Sequence, residues 1–512
     1  MLLSELIASI APLQSLSGDA EILDVTDDSR EVQPGWLFVA RPGTTRDGSQ
    51  YVSEAIAKGA AAVVSPQAVA LPVPTVQTDR VAEILPHLAA RIHGFPGRRL
   101  NILGVTGTDG KTTTCYMLSS ILRMSGSKTG MITTVETCIG GVCQRSAGRM
   151  TTPGAPAIQR LLHGMVSAGD THAVIECSSH ALAQHRLDAV ELSAAAITNI
   201  GADHLDYHGS RERYIAAKAR ILDLLKPSQE PSFVVKLEDR DSLAIAKRSG
   251  RPFVTFGLEP EADIRAAQVS LAPGASQWLL VAKGEQLAVE LPIGGRFNIY
   301  NALAASALAL IVNVPLSQVV EGLSLASTPP GRLERIDSPA GFTVVVDYAH
   351  TEQAFGSVLT QLREEASSRG GRLIAVFGAA GDRDRDKRPR LAHLASELAD
   401  YFIITTEDPF GEAGSGIIKD VAAGAPASQR GVRWEVVEDR GEAIGRALHA
   451  ARSGDVVAVT GKGHEQSITV GERQIPWSDI DVIRQMLSGD RGGDGADGEP
   501  SKPSFCEPDE QH

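Results

Sequence analysis

The chain has 512 residues, enough for about three domains of ordinary size. Its composition, 43% hydrophobic and 22% charged, is that of a globular protein with ample core-forming material. A net charge of −13 with no block of Lys or Arg argues against nucleic acid or an anionic membrane as the main partner, yet leaves room for a small anion in a locally positive pocket.

In chain order, Met1 to Ile10 carries Glu5 and lacks a basic flank. Leu3, Leu6, Ile7 and Ile10 recur at helical spacing, so a short amphipathic helix is expected rather than a signal peptide. Short strands are expected at 36–40 and 61–64, with turns at Pro34-Gly35 and Pro42-Gly43. This first block runs to residue 98, and 93–99 reads as a linker. A second block, 99–329, opens with an apolar strand, the loop Gly104 to Thr114, and a helical run. Apolar strands at 173–175 and 194–198 alternate with helices, which predicts a mostly parallel sheet. Runs 277–282 and 286–291 flank Lys283-Gly284-Glu285 and predict an appended hairpin. A third block, 330–488, places strands at 343–346, 373–377, 402–405 and 456–460. Each of them runs into a polar cluster, and ligands of open parallel sheets gather at such carboxyl ends. The remainder, 489–512, is rich in Gly, Pro and acids and reads as a disordered tail. No uncharged apolar run reaches about 18 residues, so no membrane span is expected. Cysteines 115, 138, 143, 177 and 506 form no CxxC pair, and their odd number suggests reduced thiols in a cytoplasm.

Gly107-Thr108-Asp109-Gly110-Lys111-Thr112 has the parts a phosphate needs: glycines for close backbone approach, a lysine for charge, a hydroxyl for a metal. It departs from GxxxxGK[ST], because Val105 stands where the first glycine would be. Glu176 ends a strand that could lie beside this loop. It suits Mg²⁺, which prefers carboxylate oxygen, and reads equally as a solvated loop acid. Histidines 180, 185, 204 and 208 raise a zinc alternative, although their spacing matches no common zinc pattern. On pattern alone, Lys218 is a helix-surface lysine.

Ordered motifs carry a resemblance. They are Asp28-Ser29-Arg30, Gly107 to Thr113, Thr151-Thr152-Pro153, Glu176 to Leu182, Asp203 to His208, Ala217-Lys218, Asn298 to Asn301, Gly331 to Glu334, Asp347 to His350, Gly381 to Asp384 and Gly461 to Glu465. The chain resembles the Mur ligases over residues 20 to 485, and among them the branch adding the third residue of the peptidoglycan stem peptide. The resemblance implies an α/β, three-domain architecture: a small N-terminal uridine-nucleotide domain, a central P-loop ATPase-like parallel-sheet domain, and a C-terminal Rossmann-like domain for the incoming amino acid. It implies UDP-N-acetylmuramoyl-L-alanyl-D-glutamate, ATP and a diamino acid as partners, with ATP the co-substrate, Mg²⁺ the cofactor, and a cytoplasmic monomer.

The resemblance also distributes roles. Gly107, Thr108, Asp109, Gly110, Lys111, Thr112, Thr113, Asn298, Asn301, Arg332 and Asp347 would contact ATP. Thr112 and Glu176 would hold one Mg²⁺, and His204 and Lys218 a second, with Lys218 carbamylated so that a cation becomes an oxygen ligand. Lys111, Lys218 and His204 would be the catalytic group. Ser29 and Arg30 would bind uridine. Thr151, Thr152, Ser178, Gln184 and Arg186 would hold the muramoyl dipeptide. Arg383, Gly461 and Glu465 would grip the amino acid, with Glu407, Asp408 and Phe410 around its side chain. A hinge near residue 330 would let domain closure assemble the site.

Two positions depart from the family pattern. Diaminopimelate-adding relatives carry Asp-Asn-Pro-Arg where this chain has Glu407-Asp408-Pro409-Phe410, and their Arg forks onto a distal carboxylate. Phe410 cannot do so, which favours L-lysine or L-ornithine over meso-diaminopimelate. Glu407 and Asp408 would attract a side-chain ammonium, or merely cap a helix. Asp109 replaces the frequent Asn of the phosphate loop. The other readings are a sister ligase, such as folylpolyglutamate synthetase or the enzyme adding D-alanyl-D-alanine, and a non-catalytic nucleotide-binding scaffold.

Overall fold

The computed structural model describes residues 1–8, 15–43, 47–68, 70–146 and 150–488. The segment read as a disordered tail and Cys506 lie outside them, as does Ile10. Leu3, Leu6 and Ile7 do form a helix, Leu3–Ile7, whose apolar face joins the first core.

The N-terminal sheet aligns Val25–Thr26, Leu37–Val39, Ala62–Ser65 and Thr75–Gln77 in parallel, with Ser15–Ser17 antiparallel at one edge. The central sheet has 11 strands. Its strands from Thr129–Ile132 across to Ile264–Ala272 run parallel, and an antiparallel hairpin closes each side. One of these is the expected hairpin, Ala275–Ala282 with Glu285–Leu291. The other, Glu136–Ile139 with Val142–Arg145, has no apolar alternation to announce it. Its outer strand is wholly exposed.

The order at the middle of this sheet fixes the site. Asn101–Thr106 lies between His172–Glu176 and Leu192–Ile197, parallel to both. All three strands are buried apolar runs with no polar alternation, as a sheet covered on both faces requires. One face packs against helices Lys111–Met124 and Arg296–Ile311, the other against Ala155–Ser167 and Arg211–Ala219. The carboxyl ends of the three strands therefore deliver the phosphate loop, Glu176 and the Thr198-Asn199 turn side by side.

The C-terminal sheet orders Glu334–Asp337, Thr343–Asp347, Val456–Thr460, Leu373–Phe377, Tyr401–Ile404 and Trp434–Val436. Only the first strand is antiparallel. Arg440 ties the active end of this sheet together. Its guanidinium forks onto Asp479 at 2.7 Å twice and donates to the carbonyls of Thr460 (2.9 Å) and Thr406 (3.3 Å). Those carbonyls directly precede Gly461 and Glu407.

The cysteines correct one expectation. Cys138 and Cys143 are joined by a disulfide, while Cys115 and Cys177 are free and buried. The Gly140-Gly141 turn takes φ of 57° and 84° and closes a two-residue hairpin, which sets Cys138 directly opposite Cys143. A search for CxxC spacing cannot see a pair made by strand register. Among the described residues, no helix is long and apolar enough to cross a membrane.

Arg440→Leu should strand a fully buried Asp479 without its cation, a loss of about 3–5 kcal/mol. Calorimetry should show the C-terminal transition falling by several degrees. An unchanged transition would mean that Trp477, whose indole also donates to Asp479 at 2.8 Å, suffices.

Candidate functional site

The phosphate loop is shaped by two glycines that tolerate nothing larger. Gly107 has φ 152°, and a Cβ there would sit 1.8 Å from Thr198 Oγ1. Gly110 has φ 82°, and its Cβ would sit 2.1 Å from Asn301 Oδ1. Thr198 Oγ1 and Asn199 Nδ2 donate to the Asp109 carbonyl at 2.6 and 3.0 Å, and the Asp109 N–H donates to Asn199 Oδ1 at 3.1 Å. The Thr108 hydroxyl meets Tyr214 Oη at 2.9 Å. The loop thus stands pre-formed at the N-terminus of the helix Lys111–Met124, where amides and helix dipole favour an anion. Val105 is simply the last part of the strand, paired with Glu176 and Ala196.

Glu176 is buried and clamped. The Thr112 hydroxyl donates to both its oxygens at 3.1 and 3.0 Å, and the N–H and hydroxyl of Thr134 each donate to Oε2 at 3.0 Å. The solvated-loop reading fails on this burial. Thr152 braces the same strand end, donating to the Glu176 carbonyl at 2.7 Å and to Ser178 Oγ at 3.1 Å.

Lys218 is buried too, against its reading as a surface lysine. The helix Arg211–Ala219 turns it inward beneath the loop, where Nζ donates to the Gly107 carbonyl at 2.6 Å. Burial, and then the neighbouring Lys111, hold its ammonium well below the ordinary lysine range. His204 is likewise kept neutral by burial, its pKa down at about 4 despite Asp203. It stacks edge-on to His180 at 4.6 Å. His185 turns away to Asp188 (2.6 Å) and Arg220, so the four histidines do not converge on one centre.

One cavity of about 440 Å³ gathers most of these groups. Its walls include Gly107 to Thr113, Thr151, Glu176, Ser178, Arg186, His204 and Lys218 from the central block. Arg332, Arg383, Glu407, Asp408, Phe410, Gly461 and Glu465 face them from the C-terminal block. A second cavity, of about 150 Å³, is lined by Asn298, Asn301 and Asp347. Asp109, Gly110, Thr113 and Arg332 border both cavities. Asp109 also reaches the C-terminal block, accepting from the Thr351 hydroxyl at 3.5 Å. Burial pushes its carboxyl up and Lys111 pulls it down.

Four expected residues stand outside both cavities. The Ser29 hydroxyl is engaged by Glu54 at 3.0 Å, and Arg30 is 84% exposed and paired with Asp28. Thr152 is a brace behind the wall. Gln184 holds the guanidinium of Arg186, whose Nη1 donates to the Thr152 carbonyl at 2.7 Å. Two further residues of the first cavity's wall, Thr134 and Lys387, carry no sequence signal. Thr134 follows a strand with no motif to mark it, and Lys387 hides among the charges of 382–390.

Glu407 and Asp408 differ in the fold although they adjoin in sequence. Asp408 is engaged by Lys462 Nζ (2.7 Å) and the Thr469 N–H (2.6 Å). Glu407 is buried and, among the described residues, its carboxylate accepts no hydrogen bond. Burial raises its pKa to about 7, opposed by Lys387, Arg440 and Lys462. Neither acid caps a helix, since the next one, Gly414–Ala422, is entered from Ala413. Glu465 is paired with Lys462 and receives the Tyr348 hydroxyl at 3.4 Å. The Arg383 guanidinium lies over the Phe410 ring, 5.3 Å from its centre.

Comparison with known proteins gives this geometry relatives. The Mur ligase middle domain matches residues 105–309, the Mur ligase glutamate ligase domain 331–463, and the Mur ligase family catalytic domain 21–93. A UDP-N-acetylmuramyl-tripeptide synthetase of Roseiflexus sp. (strain RS-1) is 39% identical over 486 residues, covering 91% of this chain and 95% of that protein. A UDP-N-acetylmuramoyl-L-alanyl-D-glutamate--2,6-diaminopimelate ligase of Streptomyces coelicolor is 38% identical, covering 93% and 94%. A solved structure of a ligase of that second name aligns with a TM-score of 0.63 at 29% identity, over 92% of this chain and 96% of the other.

Glu407 gives a stability test. Its folded pKa of about 7 exceeds the ordinary 4.5, so the folded state holds the proton more tightly and stability is lost as pH rises between these values. Glu407→Gln should therefore be more stable than the wild type above about pH 7, by a figure on the order of 3 kcal/mol, and equal to it near about pH 4. Thermal melts across that range check this; a variant less stable at every pH would contradict it.

Proposed function

Because this chain belongs to the Mur ligase family, we propose that its cavity joins the free carboxylate of UDP-N-acetylmuramoyl-L-alanyl-D-glutamate to the amine of a diamino acid at the expense of ATP. It is an ATP-dependent ligase of the UDP-N-acetylmuramoyl-tripeptide synthetase kind, adding the third residue of the stem peptide. The observation that carries the reading is the convergence of Lys111, Glu176 and Lys218 on one cavity that two domains close.

The chemistry follows from charge. A carboxylate is a poor acylating agent, so its oxygen first attacks the γ-phosphorus of ATP, giving an acyl phosphate and ADP. The amine then adds to the carbonyl, and phosphate leaves from the tetrahedral intermediate. Each step brings anions together, so positioning and neutralisation do most of the catalysis. Lys111 donates to the Thr108 carbonyl at 2.9 Å and lines the cavity where its ammonium would meet an incoming phosphate. Loop amides of 107–112 receive the β- and γ-phosphoryl oxygens. Asn298, Asn301 and Asp347 line the adjoining cavity for the nucleoside, and Arg332 stands between the two spaces. Ser178, Thr151 and Arg186 orient the dipeptide's acid end, while Ser29 and Arg30 meet the uridine end.

A magnesium ion prefers hard oxygen donors: Thr112 with the clamped Glu176 would hold one, and a second would take the imidazole nitrogen of His204 with an oxygen of Lys218 once that amine is carbamylated. When bound, Mg²⁺ would screen the repulsion between phosphate and carboxylate. Lys218 fits its part because its burial favours the neutral amine, the form that adds to CO₂ and becomes a carbamate oxygen donor.

The incoming residue is L-lysine or L-ornithine on this reading. Arg383 takes the α-carboxylate, and the side-chain ammonium finds Glu407, the buried acid with no hydrogen-bonding partner among the described residues. Phe410 offers a distal carboxylate nothing, and leaving that charge desolvated would cost several kcal/mol. Meso-diaminopimelate is the second reading, favoured by the names of relatives in Streptomyces coelicolor and Bacillus licheniformis. A reaction consuming ATP and a nucleotide-linked sugar belongs in the cytoplasm.

Phosphate release with ATP, Mg²⁺ and the muramoyl dipeptide should appear with lysine or ornithine and be at least about tenfold weaker with diaminopimelate, one unmade charge contact. Release with diaminopimelate alone would overturn the choice. The KM for the favoured amino acid should fall as pH rises through about 7, when Glu407 ionises, and Glu407→Gln should flatten that slope. Lys218→Ala should lose most activity and regain part of it with added short-chain carboxylic acids; full activity without them would remove Lys218 from the site.

A further inference from the structure

We infer that Cys138 and Cys143 are a redox modification site, a reversible thiol–disulfide pair that sets how firmly Glu176 is held. It goes beyond the ligase reading but rests on it for the role of Glu176.

The two cysteines face each other across the outermost hairpin of the central sheet. All four residues of the outer strand, Val142–Arg145, are exposed, so no side-chain burial holds this edge in place. Besides four backbone pairs, the disulfide fastens it, while the turn is tethered by the Gly140 N–H, which donates to Asp170 Oδ2 at 2.9 Å. The root of the hairpin is the clamp itself. The Thr133 hydroxyl donates to the Glu136 carbonyl at 2.9 Å, and the Ser146 hydroxyl donates to the Thr133 carbonyl at 2.8 Å. The Ser146 N–H donates to the Val135 carbonyl at 2.9 Å. Tyr116, on the helix that begins at the phosphate loop, donates to Glu136 Oε2 at 2.7 Å. The next residue after Thr133 is Thr134, which supplies two hydrogen bonds to Glu176. Loosening the strand pair frees the segment that carries Thr134.

The pair is built for exchange. Cys143 is exposed to a small thiol, whereas Cys138 is fully buried and stays opposite it. Arg123 Nη2 lies 3.9 Å from Cys143 Sγ, which stabilises a thiolate there. A glutathione-class thiolate attacks Cys143 Sγ, the S–S bond breaks, and Cys138 leaves as a thiolate that takes up a proton. A second thiol attacks the mixed disulfide and releases Cys143 as a thiol. Two small thiols are oxidised to one disulfide while the protein disulfide is reduced to two thiols, and the reverse reaction uses the small disulfide as oxidant.

The test uses the full chain in zinc-free buffer, equilibrated with glutathione or with glutathione disulfide. Alkylation and mass spectrometry score Cys138 and Cys143, hydrogen exchange follows 133–146, and electron paramagnetic resonance measures Mn²⁺ affinity. Reduction should speed exchange across 133–146 and weaken Mn²⁺ binding by about tenfold, the lower end of what losing an outer-shell partner costs, and reoxidation should restore both. Cys143→Ser, at an exposed position, should show the reduced values in either buffer. Thiols that stay free in glutathione disulfide, or identical exchange in the two states, would overturn the switch. Unchanged Mn²⁺ affinity with altered exchange would overturn its link to Glu176, and absence of Mn²⁺ binding in the oxidised protein would instead remove the metal reading.

Discussion

A carboxylate is held in the interior between Thr112, at the start of the phosphate-loop helix, and Thr134, at the root of an edge hairpin. Among the described residues no ion pair balances the charge of Glu176; three neutral donors, making four hydrogen bonds, hold it in place. Such an arrangement is costly for a folded chain unless a cation later joins it. The strand order makes it possible, because only neighbouring parallel strands end at the same level with their loops side by side. Everything else in the site is arranged about this fixed negative point.

The same low-dielectric setting explains two other groups. Lys218 and Glu407 are both driven towards their neutral forms, Lys218 by burial and Lys111, Glu407 by burial. Neither preference helps the fold. On the proposed chemistry each awaits a partner, an electrophile for the amine and an ammonium for the acid. Asp408 illustrates the contrast: one residue away, it is satisfied by Lys462 and Thr469 and is part of the framework.

Much of this was legible in the sequence. Glycines at 107 and 110, a lysine and a hydroxyl after an apolar strand announce a phosphate loop, and the fold adds the reason: Thr198 and Asn301 occupy the space a Cβ would need. The parallel sheets followed from apolar strands alternating with helices. Other features depend on distant contacts. Lys218 sits on a helix with no sequence mark of its inner face, Thr134 acts through a strand end forty residues away, and Cys138 meets Cys143 only through hairpin register. The choice between Glu407 and Asp408 needed the position of Lys462, which adjacency could not supply.

In the proposed reaction a phosphoryl group passes directly from ATP to the dipeptide's acid beside Lys111 and Glu176. Oxygen-18 placed in the free carboxylates of the muramoyl dipeptide would follow that transfer. Transfer through an acyl phosphate predicts that each phosphate released during ligation carries one labelled oxygen. Phosphate without label would mean that ATP is hydrolysed by water in this cavity, and the account would fail.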